Sequence, residues 1–334
     1  LRFSFLISTF KYSKIRMNSQ TKTNKTKTNK LIVILGPTGA GKSDLALKLA
    51  NDFNGEIVCA DSRQIYTEMT IGTAKPYTAQ AVPHHLFDIV KPNESFSVAQ
   101  YQKLAIKTIK EIQKRGKLPF LVGGTAFYIY SVVEGWQFPK TKTLPQLRQR
   151  LENKSPKELF ALLRKLDPNR AKNIDKQNKR RLIRAIEIAK QLGAVPSIRK
   201  KPLFDCLLLG VGKNHQELAK KIEKRTQEMF QLGLEKEVHT LIKKYGWTPV
   251  LQNSIGYSEW KELGILPSLS HPKQCALLKS KPINKTQKQA LQKLITLHTL
   301  QFAKKQMTWF KKDKRINWIK TKKQAFDLVK KFIQ

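Results

Sequence analysis

Eight consecutive residues, Gly36-Pro37-Thr38-Gly39-Ala40-Gly41-Lys42-Ser43, complete the pattern G-x-x-x-x-G-K-[ST]. The chemistry they suit is the grip of a phosphate chain. Glycine lets backbone N–H groups turn inward around an anion without a Cβ in the way. Lys42 supplies a point charge to the outer phosphate and Ser43 a hydroxyl for Mg²⁺. The loop alone names neither the phosphate compound nor whether a phosphoryl group moves. A second chemical group is Asp61, which follows the run Glu56-Ile57-Val58-Cys59-Ala60. It can serve as a Mg²⁺ partner, a general base or a helix N-cap. A third is Thr125, which follows Gly123-Gly124.

The elements around these residues must bring them together. Leu31 to Leu35 is an unbroken apolar run that reads as a buried strand, and Leu45 to Ala50 reads as a helix start. Strand, glycine loop and helix thus come in the order an anion site needs, because the helix N-terminus adds its positive dipole end. Glu56–Ala60, Leu118–Val122 and Cys206–Gly212 read as further strands, and Ser97–Lys114 as an amphipathic helix with Ser97 as its cap. In doubly wound sheets ligands bind at the carboxyl ends of strands, which places Asp61 and Thr125 beside the loop. Gly123 and Gly124 are expected to let a ligand approach the backbone. His84 and His85 have no third ligand at useful spacing and read as loop residues rather than metal ligands.

From Thr141 to Phe204 the character changes. Eighteen Lys/Arg stand against five acids, a net +13 in 64 residues, with helical spacing of leucine and isoleucine and no strand candidate. This segment reads as a helical insertion between strands of an α/β core. Arg180 and Arg184 lie one turn apart, either on a solvated face or against a phosphate. Helices are expected over Gln216–Gln231, from about Gly233 to Tyr245, and over Leu291–Lys312. The last interleaves Phe302, Trp309 and Phe310 with Lys304, Lys305, Lys311 and Lys312. That pattern suits RNA if the aromatics are exposed, and an ordinary amphipathic helix if they face the core.

The whole chain carries 64 Lys+Arg against 24 Asp+Glu, a net charge of +40. A small-metabolite enzyme needs no such excess, and a polyanionic partner or a lysine-rich compositional bias accounts for it. Cys59, Cys206 and Cys275 show no pairing or metal-ligand spacing, which fits the cytoplasm and no structural zinc. No apolar run approaches the roughly 20 residues of a membrane span. Residues 1–30 carry eight basic residues and no acid, and read as a disordered basic tail. Met17 is an internal candidate start, and a transit-like segment is the competing reading.

The ordered set GPTGAGKS (36–43), ADSRQIY (60–66), IGTAKP (71–76), VPHHLFDI (82–89), LVGGTAFY (121–128), RRLIRAIE (180–187), SIGYSEW (254–260) and QFAKKQMTWF (301–310) resembles the tRNA dimethylallyltransferase, or tRNA isopentenyltransferase, family. The resemblance implies a P-loop NTPase-like parallel sheet core, 31–140 and 205–334, and an inserted all-helical tRNA-binding domain, 141–204. It implies transfer of a dimethylallyl group from dimethylallyl diphosphate to N6 of adenosine 37 in tRNA, beside the anticodon, with Mg²⁺ and by a monomer. The loop would then hold the donor's diphosphate, not ATP. Residues 36–43 and Arg225 would bind that diphosphate, Ser43 would carry the metal, Asp61 would act as general base and Thr125 would position the base. Ser62, Arg63, Gln64, Arg148, Arg180, Arg181, Arg184, Lys304, Lys305 and Lys311 would join Asp61 and Thr125 in contacting tRNA. Asn253, Leu300 and Asp175-Lys176-Gln177-Asn178 depart from the family pattern and weaken individual tRNA contacts. Prenylation of free adenine nucleotides is the competing activity, but it needs neither the basic insertion nor the lysine-rich last helix. A kinase or ATPase lacks a second Mg²⁺-binding Asp and an arginine lid here. A non-catalytic RNA binder would not need the intact loop and Asp61.

Overall fold

The computed structural model describes residues 29–76, 82–267 and 282–334. The basic tail up to residue 28, Cys275 and the lysine-rich stretch 268–281 lie outside the described residues. The sheet is built around β1 (Lys30–Leu35), whose residues Leu31 to Leu35 are all buried. It is flanked on both sides by parallel strands, β4 (Leu118–Gly123) and β7 (Asp205–Val211). With β2 (Gly55–Cys59), β3 (His84–His85) and β8 (Asn317–Ile319) the order is β3-β2-β4-β1-β7-β8, every pair parallel. Strands buried on both faces read as continuous apolar runs, which is why β1, β2, β4 and β7 were visible in the sequence. His84 and His85, expected in a loop, form the edge strand against Ile57 and Val58. A two-residue strand has no periodicity to read.

α1 (Lys42–Asp52) leaves the loop directly, and α2 (Val98–Lys114) starts on a capping box of Ser97 and Gln100. α3 (Ala126–Val133) follows β4. The segment after it leaves through β5 (Trp136–Gln137) and returns through β6 (Arg199–Lys200), which pair antiparallel. That short ladder corrects the expectation of no strand between 141 and 204: it ties the exit of the inserted segment to its re-entry.

Between these strands lie α4 (Pro145–Glu152), α5 (Pro156–Leu166), α6 (Pro168–Lys172) and α7 (Lys179–Leu192). They share a core of their own, with Leu151, Leu159, Leu163, Leu182 and Ile186 buried in it. Glu187 of α7 is fully buried and accepts from the Leu144 N–H (3.0 Å) and from Arg148 through Nε and Nη2 (2.7 Å each). Arg184 Nη1 adds a fourth bond at 3.2 Å. Burial pushes this carboxyl up, but Arg148, the Leu144 N–H and Arg184 together hold it below the usual range.

After β7 come α8 (His215–Gln231), α9 (Leu234–Tyr245), α10 (Pro249–Gln252), α11 (Ser258–Glu262), α12 (Lys285–Phe310) and α13 (Lys322–Ile333). Among the described residues no helix is long and apolar enough to cross a membrane. Glu187→Ala is expected to lower stability by about 2–3 kcal/mol in urea titrations, because it leaves charged donors unpaired. No residue of the 36–43 loop belongs to that bond set, so diphosphate binding should survive in the folded variant.

Candidate active site

The loop 36–43 connects the carboxyl end of β1 to α1. Gly36, Gly39 and Gly41 have φ of 148°, 80° and 95°, and a Cβ at Gly36 would sit 2.2 Å from the Val211 carbonyl oxygen. α1 has Gly41 as its N-cap and no side-chain cap bond, so its first N–H groups stay available to an anion. Lys42 Nζ donates to the Pro37 carbonyl at 2.8 Å. Burial brings its pKa down to about 8, opposed by Asp61 and assisted by Arg225.

Arg225 enters from α8. Its Nη1 and Nη2 both reach Thr38 Oγ1 at 3.2 Å, while its buried Nε has no hydrogen-bond partner. Burial lowers its pKa, with Asp61 acting against that. A buried donor without a partner is costly, and an anion would relieve it.

Asp61 stands at the carboxyl end of β2. Its Oδ1 accepts from the N–H of Arg63 (2.8 Å) and of Gln64 (3.4 Å), so the carboxylate caps its own turn rather than a helix. A cavity of about 510 Å³ is lined by Thr38, Lys42, Ser43, Asp61, His84 and Arg225. A second, of about 160 Å³, is lined by Asp61, Arg63, Arg225, Asn253, Ile295 and Phe302. Asp61, Arg225 and Thr38 belong to both. One side is polar and cationic, and the other carries more apolar side chains.

Among the described residues no three or more His, Cys, Asp or Glu side chains converge as a metal cage. Ser43 and Asp61 in one cavity suit a Mg²⁺ that keeps waters and takes substrate phosphate oxygens as further ligands.

Thr125 reaches the site through a neighbour. Its Oγ1 accepts from the Ser62 N–H at 3.0 Å and donates to Ser62 Oγ at 3.3 Å. Gln64 donates to the Thr73 and Ala74 carbonyls, both at 3.0 Å, and so holds the 71–76 loop. Gly123 and Gly124 admit the protein's own groups, since a Cβ there would sit 2.1 Å from the Ala60 oxygen and 2.3 Å from Gln306 Nε2, and Gly123 also lines the larger cavity.

Gln306 is the residue the motifs did not single out. It is 5% exposed, its Oε1 accepts from the Thr38 N–H (2.9 Å), and its Nε2 donates to the Gly124 carbonyl (2.8 Å). One carboxamide therefore joins the loop to the end of β4. Glu237 does the same for the 70–72 backbone, accepting from Thr70, Ile71 and Gly72 N–H groups and from the Tyr257 hydroxyl at 2.7–3.0 Å. Neither partner pair is visible in a linear pattern.

The basic residues divide. Arg148 and Arg184 are bound to Glu187 within the insertion. Arg180 and Arg181 are exposed and make no ion pair among the described residues; burial lowers the Arg63 pKa, and the Arg180 charge adds to that. On α12 and at its C-cap, Lys304, Lys305 and Lys311 are exposed, Phe310 is buried, and Phe302 and Trp309 are 39% and 43% exposed.

A family model described as IPP transferase matches residues 64–313, and one described as isopentenyl transferase matches residues 29–87. The chain is 38% identical to a tRNA dimethylallyltransferase of Halothermothrix orenii, covering 86% of each chain. It is 41% identical to one of Rippkaea orientalis, covering 86% of this chain and 92% of the other. Among solved structures it is similar to the full-length tRNA isopentenylpyrophosphate transferase of Bacillus halodurans, with TM-score 0.63, 32% identity and coverage of 92% and 96%. A eukaryotic dimethylallyltransferase acting on tRNA superposes with TM-score 0.70 at 26% identity, covering 84% of this chain and 69% of the other.

Two outcomes follow from this geometry. Gln306→Leu leaves the Thr38 N–H and the Gly124 carbonyl unpaired and should raise the KM for an allyl diphosphate about tenfold. A KM equal to the wild type would show that the carboxamide does not shape the loop. Lys42 is charged below about pH 8 and neutral above it. Donor affinity should therefore decline as pH rises from 8 to 9.5, and isothermal titration with inorganic diphosphate reads this directly.

Proposed function

This chain belongs to the IPP transferase family of tRNA dimethylallyltransferases and is a tRNA-modifying prenyltransferase; from that premise we propose that it moves a dimethylallyl group from dimethylallyl diphosphate to N6 of adenosine 37. The observation that carries the reading is that Asp61 and Arg225 belong to both cavities. The donor's diphosphate occupies the larger cavity against the loop, Lys42, Ser43, Thr38 and Arg225. The extruded adenine enters from the smaller one, since chemistry on a base requires taking it out of the stack.

In the reaction the bond between the allylic carbon and the diphosphate oxygen breaks, and the electron pair leaves with the diphosphate. A new bond joins that carbon to N6, and the displaced proton goes to Asp61. The loop N–H groups, Lys42 and Arg225 face the oxygens on which charge develops, which is where stabilisation lowers a barrier. An adenine amine is a weak nucleophile, so proton removal during attack is worth about 10²–10⁴-fold. Mg²⁺ held by Ser43 and phosphate oxygens would add Lewis-acid neutralisation of the leaving group.

Cys59 and Cys206 are free thiols, which supports a reducing compartment, the cytoplasm. One chain carries both cavities and the basic insertion, which supports action as a monomer. The test is incubation with labelled dimethylallyl diphosphate, Mg²⁺ and either bulk tRNA or AMP. Label in tRNA alone is expected; label in AMP alone would assign the chain to nucleotide prenylation. Asp61→Asn should retain tRNA binding and lose at least 10²-fold in single-turnover rate. An unchanged rate would remove Asp61 as the base.

A further inference from the structure

Thr38, Asp61, Thr73, Ala74 and Arg225 line both the larger and the smaller cavity, so on the proposed reading the new bond forms among them. Displacement needs the diphosphate oxygen, the allylic carbon and N6 aligned. The rest of the allyl chain must then leave that line sideways. A third cavity, of about 150 Å³, opens beside it and is lined by Ile71, Ala74, Arg225, Met229 and Leu232 with Thr70, Lys75 and Glu228. Ala74 and Arg225 border all three cavities, whereas Asp61 borders only the first two. The third cavity thus lies on the side of the seam away from the carboxylate.

One wall is α8. Arg225, Met229 and the C-cap Leu232 fall within an arc of about 60° on it, spaced by about 6 and 4.5 Å along the axis. The other wall is the 70–75 segment, whose Ile71 and Ala74 pack on the same hydrophobic cluster as Met229. Glu237 holds its 70–72 N–H groups, and Gln64 holds the carbonyl of Ala74, which has φ of 50°. The charged ends are engaged elsewhere: Lys75 with the Tyr66 carbonyl and Asp88, Glu228 with Lys224, Arg225 with Thr38. An occupant therefore meets mainly the carbon of Ile71, Ala74, Met229 and Leu232. Met229 is 5% exposed and also borders the smaller cavity, while Leu232 is 57% exposed at the outer end.

We propose that Met229 and Ala74 form a neck at which a dimethylallyl chain ends, and that they set the length of the donor the enzyme accepts. The proposal rests on the reading of the donor as an allyl diphosphate. From Arg225, which faces the diphosphate, to Met229 is about one helical turn, the reach of a five-carbon chain. The Met229 thioether, unbranched and able to fill an irregular gap, stops the chain there. Beyond the neck there is room for more: an apolar cavity of about 150 Å³ holds a six-carbon ring, so the third cavity has the volume for a second five-carbon unit. A ten-carbon geranyl chain is excluded by the neck alone. With either donor the same bonds change: the allylic C–O bond breaks with its pair on the diphosphate, the C–N6 bond forms, and the N6 proton goes to Asp61.

The probes are dimethylallyl and geranyl diphosphate, each supplied with bulk tRNA and Mg²⁺, and kcat/KM is read for both. The wild-type protein is expected to prefer the shorter donor. Met229→Ala should lower that preference at least tenfold, the scale on which an apolar pocket discriminates by chain carbons. Met229→Leu, close in volume, should keep it. Ala74→Gly keeps the test open should Met229→Ala fail to fold: it removes the facing methyl at a φ that suits glycine, and should shift the preference the same way. A merely structural lesion lowers kcat/KM for both donors alike. An unchanged ratio in the widened variant, an equal shift in Met229→Leu, or equal use of both donors by the wild type overturns the gauge. Failure of the wild-type protein to label tRNA with either donor would count against the proposed reaction itself, a separate result.

Discussion

The site depends on an electrostatic imbalance held in place by packing. Two cations, Lys42 and Arg225, sit half-buried beside one carboxylate, Asp61, and desolvation lowers the pKa of both. Buried charges are tolerated only when paired or when the surroundings fix them. Here Lys42 is bonded to the Pro37 carbonyl and Arg225 to the Thr38 hydroxyl, neutral acceptors that compensate neither charge. The folded chain therefore carries a standing demand for negative charge at the carboxyl end of its central strand. On the proposed reading a diphosphate meets that demand, and meets it more strongly as charge accumulates on the departing group. The same imbalance serves binding and reaction, which is the condition for differential stabilisation.

Such an imbalance survives only if the backbone around it cannot relax. The end of β1 is drawn against that of β7, and the end of β4 against that of β2, without side chains between them: Gly36 lies against Val211, and Gly123 against Ala60. Where backbone alone does not close the gap, a buried side chain does. Gln306 joins the loop to Gly124, and Glu237 holds the 70–72 backbone to Tyr257. Both come from helices late in the chain, so the acceptor side of the site is completed by elements that pack onto the sheet after β7. These bonds brace the loop and the 70–72 backbone, which on the proposed reading border the donor and the adenine.

Much of this was legible in sequence, for identifiable reasons. A strand buried on both faces, a glycine loop and a helix start form a local pattern, so residues 31–50 announce themselves. Asp61 was placed by the rule that ligands gather at strand ends. The helical insertion was legible from leucine spacing and charge, whereas the β5–β6 ladder and the edge strands β3 and β8 were too short to carry a period. What sequence could not show is partnership at a distance. Gln306 and Thr38 are 268 residues apart, and Gln306 sits among lysines that draw attention to the other flank of its helix. Gly123 and Gly124 were legible as a close approach but not as an approach of the protein to itself.

The net charge of +40 does not act uniformly. Arg148 and Arg184 are bound by Glu187, and Arg315 by Asp313 and Glu134, so part of the excess stabilises the scaffold. Arg63 and Arg180 differ. Arg63 belongs to the core, bonded to the Asn253 carbonyl at 2.8 Å, and Arg180 to the insertion. Burial lowers the Arg63 pKa, and Arg180 lowers it further. Like charges facing each other across the two parts of the molecule repel, and that repulsion weakens when a phosphate lies between them. A polyanion entering the crevice therefore removes an unfavourable interaction as well as adding a favourable one.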